Sequence, residues 1–433
     1  MIFELSRDEE RQFSGTIKAP PSKSYMHRLI VASSLCQEET KIYNYGISED
    51  VMASLRAIKK LGGDFSLDEA LTISPIKRGK VRATEINCNE SGTTFRFLVP
   101  LGLALGEECS FCGKGRLPER PLSPLKEELE KNGAVITELS QGKTLPLKCS
   151  GSLRGGIFNL PGNISSQFVS GLLFALPILN EDSEIRISLP FESKPYVNMT
   201  IKILSKFGIK ISEETKGETL TYKINGCQAY ASPREIFCEG DWSQGAFFLC
   251  GGAISGDIRC ENLSLSSLQG DKEIYSLLKK MGAKIESGKG YVKIKKSRLK
   301  AIDIDASQIP DLVPILALVL SLSEGEGRIF NAQRLRLKES DRLSSTMIAL
   351  RSLGADIKET EDGLEIKGKP CLEGGRVSSF NDHRIAMMEA ISSLGAKGSV
   401  LIEEPMCVRK SYPNFYEDFV SLGGKKYVVN MGK

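Results

Sequence analysis

The sequence predicts an α/β protein built from one unit used six times, and three observations carry that prediction. An apolar helical run ends in glycine, ahead of a short strand-like stretch, at Leu61-Gly62, Asn132-Gly133, Phe207-Gly208, Met281-Gly282, Leu353-Gly354 and Leu422-Gly423. These glycines stand 69 to 75 residues apart, the spacing of a repeated supersecondary unit. Each suits a helix C-cap, where the backbone needs a positive φ that a Cβ would strain. Chemically active residues also recur at fixed phase. Counting back 39 to 43 residues from each glycine reaches Lys23, Gly92, Ser166, Asp241, Asp311 and His383, each opening an apolar, small-residue helix. A second set lies 11 to 15 residues before the glycines, where the following helix is expected to begin: Arg120, Ser193, Asp271, Asp341 and Ser411. Helix N-termini expose unpaired N–H groups with partial positive charge, so this phasing points to an anionic ligand.

In chain order, residues 17–20 read as a strand stopped by Pro20-Pro21, a pair that fixes an extended entry to the next helix. There Lys23 and Arg28 can grip an anion from two directions, while Ser24 serves equally well as a plain N-cap. Glu90-Ser91-Gly92-Thr93 opens another helix, with Gly92 letting a ligand approach backbone N–H groups; a simple capped helix is the alternative. Arg120 stands just ahead of a proline-started helix. Ser165, Ser166 and Gln167 bring two hydroxyls and an amide to a helix start, a set suited to phosphate oxygens or sugar-like hydroxyls. Ser193, Lys194 and Tyr196 offer similar groups one helix later.

Residues 184–189, 291–294 and 399–402 read as strands, and 274–281 and 345–353 as helices with one buried face. Asp311 precedes the wholly apolar run 312–320. It is either an N-cap there or a carboxylate able to take a proton from a hydroxyl in a water-poor site. Lys338, Glu339, Asp341 and Arg342, then Asp382, His383 and Arg384 with Lys410 in phase, are the densest charge groups; a solvated face is their plain alternative.

At 433 residues the chain is too long for one ordinary core, and six units divide naturally as three plus three. With 41% hydrophobic and 26% charged residues it is a folding composition without low-complexity tracts. A net charge of +4 is too small to argue for nucleic-acid binding. The opening MIFELSRDEERQF has no secretory core, and the run 312–320 contains Pro314 and is too short to span a bilayer, so a cytoplasmic protein is expected. Eleven cysteines, scattered and odd in number, read as reduced thiols; Cys109 and Cys112, with only two histidines in the chain, make a poor zinc site. Gly113-Lys114-Gly115 and Gly142-Lys143-Thr144 lack the remaining glycines of dinucleotide and P-loop signatures, so neither NAD nor ATP is implied.

Taken together, SKSYMHR, ESGTTFRF, the ERP at 119–121, SSQ at 165–167, SKPY at 193–196, EGD at 239–241, IPD at 309–311, KESDR at 338–342 and NDHR at 381–384 resemble the enolpyruvyl transferases, in order along nearly the whole chain. The likeness is nearest to the branch that acts on shikimate 3-phosphate. It implies two domains, each three βαβαββ repeats in an inside-out α/β barrel. Residues 20–235 would form one domain and residues 1–19 with 236–433 the other, with the active site in the cleft between them.

The implied reaction moves the enolpyruvyl group of phosphoenolpyruvate onto the 5-hydroxyl of shikimate 3-phosphate by addition and elimination. The resemblance implies no metal or organic cofactor, no nucleic-acid or membrane partner, and a monomer. Carried over by position, Ser24 and Arg28 would hold the shikimate carboxylate, while Ser165, Ser166, Ser193 and Lys338 would hold its phosphate. Gln167 and Asp311 would face the ring. Arg120, Arg342, Arg384 and Lys410 would bind phosphoenolpyruvate, with Gly92 and Gln167 lining its site and Lys23 touching both substrates. Asp311 would accept the hydroxyl proton, and Glu339 or Lys23 would protonate C3.

Two positions depart from the family pattern: Glu90, where Asn is frequent, and His27, also at a frequent Asn. The rival branch, acting on UDP-N-acetylglucosamine, carries a reactive Cys in the loop before its Arg-Pro. Here that loop, residues 113–119, has none, and Cys112 lies eight residues before Arg120.

Overall fold

The computed structural model describes residues 1–77 and 84–429. The chain separates into two compact units, Met1–Pro20 with Glu239–Lys433, and Pro21–Cys238. Among the described residues each unit holds three four-stranded sheets, and every sheet contains one parallel pair followed by two antiparallel pairs. One repeat shows the pattern. Strand Thr84–Asn87 leads through helix Gly92–Ala104 to the parallel strand Cys109–Cys112, then through helix Leu125–Lys131 to the hairpin Ala134–Ser140 and Lys143–Gly151. This is βαβαββ. All six junction glycines sit in the left-handed region, Gly62 at φ 94° and Gly423 at φ 105° marking the first and last.

Three of the sheets borrow a strand from far along the chain. Ile2–Arg7 pairs between Val400–Glu403 and Gly424–Val429, finishing the last repeat. Phe13–Lys18 pairs in parallel with Gly256–Glu261. Glu235–Phe237 pairs in parallel with Thr40–Tyr43, supplying the first repeat of the other unit with its opening strand.

Each unit has its own hydrophobic core. In the unit that contains both termini, helices Trp242–Ser255, Val313–Ser321 and His383–Ser392 pack on one another and are buried along almost their whole length. That accounts for the lack of a polar face in their sequences. In the other unit, a Cβ on Gly171 would collide with the Arg96 carbonyl oxygen, so a glycine is what lets helix Ser166–Ala175 lie tightly against Gly92–Ala104.

The first-phase residues stand where expected, with Lys23, Gly92, Ser166 and His383 each the first residue of its helix. The second set is only partly so. Ser193 and Asp341 occupy N-cap positions, whereas the helices after Arg120, Asp271 and Ser411 begin at Leu125, Ile274 and Phe415. Pro121, Pro124 and Pro413 disfavour α geometry just before them, which delays two of those three starts; Asp271 sits in a 3-10 turn that runs into its helix. Cys109 and Cys112 lie on one strand with alternating burial, so they face opposite sides of the sheet and cannot share a ligand. No helix among the described residues is long and apolar enough to cross a membrane.

Candidate active site

In the unit Pro21–Cys238, the functional side chains are set by helix starts and by what braces them. Ser22, not Ser24, caps the first helix, its Oγ accepting the Tyr25 N–H at 3.5 Å. That leaves Ser24 in the first turn with its carbonyl, rather than its hydroxyl, accepting from Arg28 Nη1 at 2.8 Å. Arg28 also donates from Nε to Thr200 Oγ1 at 2.7 Å and from Nη2 to the Tyr196 carbonyl at 2.9 Å. Three of its five N–H groups are thereby fixed and two are left for a ligand. Lys23 is held by Asp50 Oδ2 at 2.7 Å.

Gly92 has a steric reason for being glycine. A Cβ there would lie 2.8 Å from Arg120 Nη1 and 3.0 Å from its Cζ, so the guanidinium rests directly on the glycine backbone. Ser91 caps this helix, accepting from Thr94 N at 3.2 Å. Gln167 is locked at both ends: its Oε1 accepts from Arg96 Nη1 at 2.8 Å, and its Nε2 donates to Thr93 Oγ1 at 2.9 Å. Ser165 caps the Gln167 N–H at 3.3 Å, and Ser166 is buried beside it. Ser193 holds a positive φ of 53°, a strained conformation for serine of the kind that collects at ligand sites.

His27 has a structural role the sequence did not announce. Its Nδ1 meets Ser54 Oγ at 2.7 Å, Ser54 meets Thr94 Oγ1 at 2.7 Å, and Thr94 donates to Ser91 Oγ at 2.8 Å. Burial, with Lys23 and Arg28 nearby, pushes its proton affinity well below the ordinary range, so it is a neutral link between two helix starts. Glu90 packs against Gly115 in the loop ahead of Arg120.

In the other unit, an aspartate stands at the head of each of the three packed helices. Asp241 and Asp382 cap theirs through Gln244 N at 3.0 Å and Arg384 N at 2.9 Å. Asp311 does not. It lies in the turn Pro310–Leu312 with no capping bond, and its carboxylate is taken by Arg342 Nη1 at 2.9 Å and Arg384 Nη2 at 2.8 Å, with Lys338 Nζ at 3.9 Å. The N-cap reading of Asp311 therefore fails, because Pro310 begins a 3-10 turn that places the carboxylate among cations. Burial works to raise its proton affinity, but Arg384, Lys338 and Arg342 outweigh it and hold the carboxyl well below the usual range.

Arg342 is the hub. Only 1% of its side chain is exposed, and it donates to Asp382 Oδ2 at 2.8 Å, Asp311 Oδ1 at 2.9 Å and Glu339 Oε2 at 2.6 Å. Burial opposes its charge, and Asp382, Glu339 and Asp311 more than restore it. Lys410 donates to the Asn381 carbonyl at 2.6 Å. Burial pushes Lys338 down to about 8 despite Asp311 beside it. Behind them, buried Asp271, bonded to Ser243, is pushed up to about 7 by burial first and by Asp311 second. Four cations, Lys338, Arg342, Arg384 and Lys410, stand against three carboxylates, Asp311, Glu339 and Asp382. An arriving anion thus competes with resident carboxylates for Arg342 and Arg384, and Asp311 and Glu339, partly exposed where Asp382 is fully buried, are the ones placed to yield.

Sequence reasoning named each of these cations but gave no role to the groups that hold the site together: Asp50, Arg96, Thr200 and Asp382, the last named only within its charge group. Asp382 was findable, since it falls one residue before His383 at the phase where Asp241 stands. The others have partners 27, 71 and 172 residues away, with no local signal. Cys112, the thiol nearest the Arg120 loop, contacts Glu85 Oε1 at 3.6 Å, and burial and that carboxylate raise its proton affinity, the reverse of an activated nucleophile.

The profile of a family described as EPSP synthase (3-phosphoshikimate 1-carboxyvinyltransferase) matches residues 8–419. A 3-phosphoshikimate 1-carboxyvinyltransferase of Clostridium perfringens is 46% identical over 418 residues, 95% of this chain and 97% of that one. One from Clostridium novyi is 43% identical over 436 residues, 98% of each chain. Among solved structures, an EPSP synthase from Acinetobacter baumannii superposes with a TM-score of 0.81 at 25% identity, covering 99% of this chain and 100% of that one. The enolpyruvyl transferase NikO from Streptomyces tendae, at 15% identity, TM-score 0.79 and 98% of each chain, shares the fold.

Proposed function

The chain belongs to the EPSP synthase family, and from that premise we infer how its helix-start residues divide the work. The enzyme transfers the enolpyruvyl group of phosphoenolpyruvate to the 5-hydroxyl of shikimate 3-phosphate and releases phosphate. In our reading Ser24 and Arg28 hold the shikimate carboxylate, Arg28 with its two remaining N–H groups. Ser165, Ser166, Ser193 and Lys338 take the phosphate, and Gln167 and Asp311 face the ring. Arg120, Arg342, Arg384 and Lys410 take phosphoenolpyruvate beside Gly92 and Gln167, and Lys23 touches both substrates. The protein acts as a cytoplasmic monomer.

One observation carries the mechanism: Asp311 is an unprotonated carboxylate gripped by the two arginines assigned to phosphoenolpyruvate. Alone it is too weak a base for a hydroxyl. When phosphoenolpyruvate, with its carboxylate and phosphate, takes up Arg342 and Arg384, their hold on Asp311 slackens and its proton affinity rises, so the base strengthens as the site fills. The 5-hydroxyl oxygen then bonds to C2 while its proton passes to Asp311. A proton from Glu339 or Lys23 reaches C3 and completes the tetrahedral adduct. Return of that C3 proton re-forms the double bond and expels phosphate, whose charge the arginines stabilise.

The test is phosphate release from phosphoenolpyruvate with and without shikimate 3-phosphate. Asp311→Asn is expected to lower kcat by about 10²–10⁴-fold with the protein still folded. Release at the wild-type rate from that variant would remove Asp311 from the proton chemistry, and release with UDP-N-acetylglucosamine instead would reassign the acceptor.

A further inference from the structure

The three packed helices of the unit that contains both termini carry the catalytic cluster at their N-terminal ends. Their C-terminal ends reach a separate concavity of about 970 Å³, met at Ile254, Leu322 and Gly395. Its walls carry Arg7, Lys284, Lys296, Arg298, Lys369 and Lys397, against Glu324 as the sole lining acid. Two of these cations, Arg7 and Lys296, stand at equivalent places in two of the repeats, and Lys369 lies one residue past the equivalent place, Gly368, in the third. Arg7 ends strand Ile2–Arg7, Lys296 follows Tyr291–Lys295, and Lys369 follows Leu364–Lys367.

Helix C-termini carry partial negative charge, so some basic residues here serve simply to offset it. The magnitudes leave a surplus. Three helix ends supply about −1.5 charges between them. Arg298 is neutralised by Glu324 and Lys397 by Glu373 at 3.1 Å, and Lys369 donates to the Gly354 carbonyl at 2.7 Å. Arg7, Lys284 and Lys296 carry no ion pair among the described residues. With the two neutral pairs set aside, the four remaining cations exceed the helix ends by about 2.5 charges, all within one concavity of a chain whose net charge is only +4. Like charges gathered over an apolar floor, here Leu299 and Leu394, are a suitable receptor for one compact, multiply charged anion.

We propose that this concavity is a second anion site, distinct from the substrate-binding residues, that takes a compact polyphosphate. The phosphate chain is the recognised group, whether it comes as inorganic polyphosphate or as a nucleoside triphosphate.

Tripolyphosphate and adenosine triphosphate, both free of divalent metal, are titrated into the full chain by calorimetry. The wild type is compared with the pair Lys284→Glu with Lys296→Glu, and with Arg384→Ala in the catalytic cluster. The basin pair is expected to weaken tripolyphosphate binding about tenfold or more while turnover stays at the wild-type value, which also certifies its folding. Arg384→Ala is expected to leave that binding unchanged. Equal affinity for the two probes assigns recognition to the phosphate chain, and a preference for adenosine triphosphate adds a contact with the base; both support the site. Absence of saturable binding up to millimolar probe, or binding lost in Arg384→Ala but kept in the basin pair, would each overturn it.

Discussion

Lys338 links the pH of the solution to the grip on shikimate 3-phosphate. Burial pushes its ammonium down to about 8, with Asp311 at 3.9 Å unable to offset the loss of water. A lysine with that value is about nine-tenths charged at pH 7 and about one-tenth charged at pH 9, a loss worth roughly tenfold in the population able to bind a phosphate. The phosphate itself is already dianionic in that range, its second pKa being about 6, so the ligand adds no titration of its own. KM for shikimate 3-phosphate is therefore expected to be nearly flat from pH 6.5 to 7.5, to climb by about fivefold from pH 8 to 9, and to approach about tenfold per unit beyond. Lys338→Arg, whose guanidinium stays charged throughout, should flatten the climb. Stability moves the other way. The folded value lies below that of the unfolded chain, so between about 8 and 10.5 the unfolded state binds more protons and the fold gains stability as pH rises. Initial rates at saturating phosphoenolpyruvate across pH 6.5–9.5 make the assay. A wild-type KM that stays level through pH 9.5 would refute the reasoning.

Two further predictions concern the supports. Asp382→Ala removes the fully buried partner of Arg342 and the cap of its own helix, at a cost of about 3–5 kcal/mol for the broken pair and about 1 for the cap. Asp382→Asn, whose amide oxygen still caps Arg384 N, should lose clearly less; urea midpoints lowered equally by both would contradict this account. Ser54→Ala cuts the chain from His27 to Thr94 and strands the buried His27 ring while Thr94 keeps Ser91, so a loss of about 1–3 kcal/mol is expected, and a melting temperature unchanged from wild type would count against it.

What was legible in the sequence was local. The junction glycines report a backbone requirement within their own turn, and Lys23, Gly92, Ser166 and His383 announce helix starts through their neighbours. Asp311 was ambiguous because an aspartate before an apolar run looks the same whether it caps or catalyses; only Arg342 and Arg384, 31 and 73 residues away, decide between them. The alternative of Ser24 as a plain cap falls because the cap sits two positions earlier, at Ser22, whose backbone is extended as a cap requires. The braces were illegible for the same reason: those on Arg28 and Gln167 join helices of different repeats, and that on Lys23 joins the two helices of the first repeat, 27 residues apart.

The borrowed strands bear on how the chain comes off the ribosome. Residues 13–18 emerge early, yet their parallel partner at 256–261 appears only after the whole of Pro21–Cys238 has been made. Residues 2–7 wait longer still, for 400–403 and 424–429. These two segments, carrying Ile2, Phe3, Leu5, Phe13 and Ile17 for the core, are thus made well before the strands that shelter them. Pro21–Cys238 can close on itself as soon as Glu235–Phe237 arrives, whereas its companion must hold two apolar strand edges open through most of translation. Residues 2–18 are accordingly the stretch of the nascent chain that waits longest for its pairing partners.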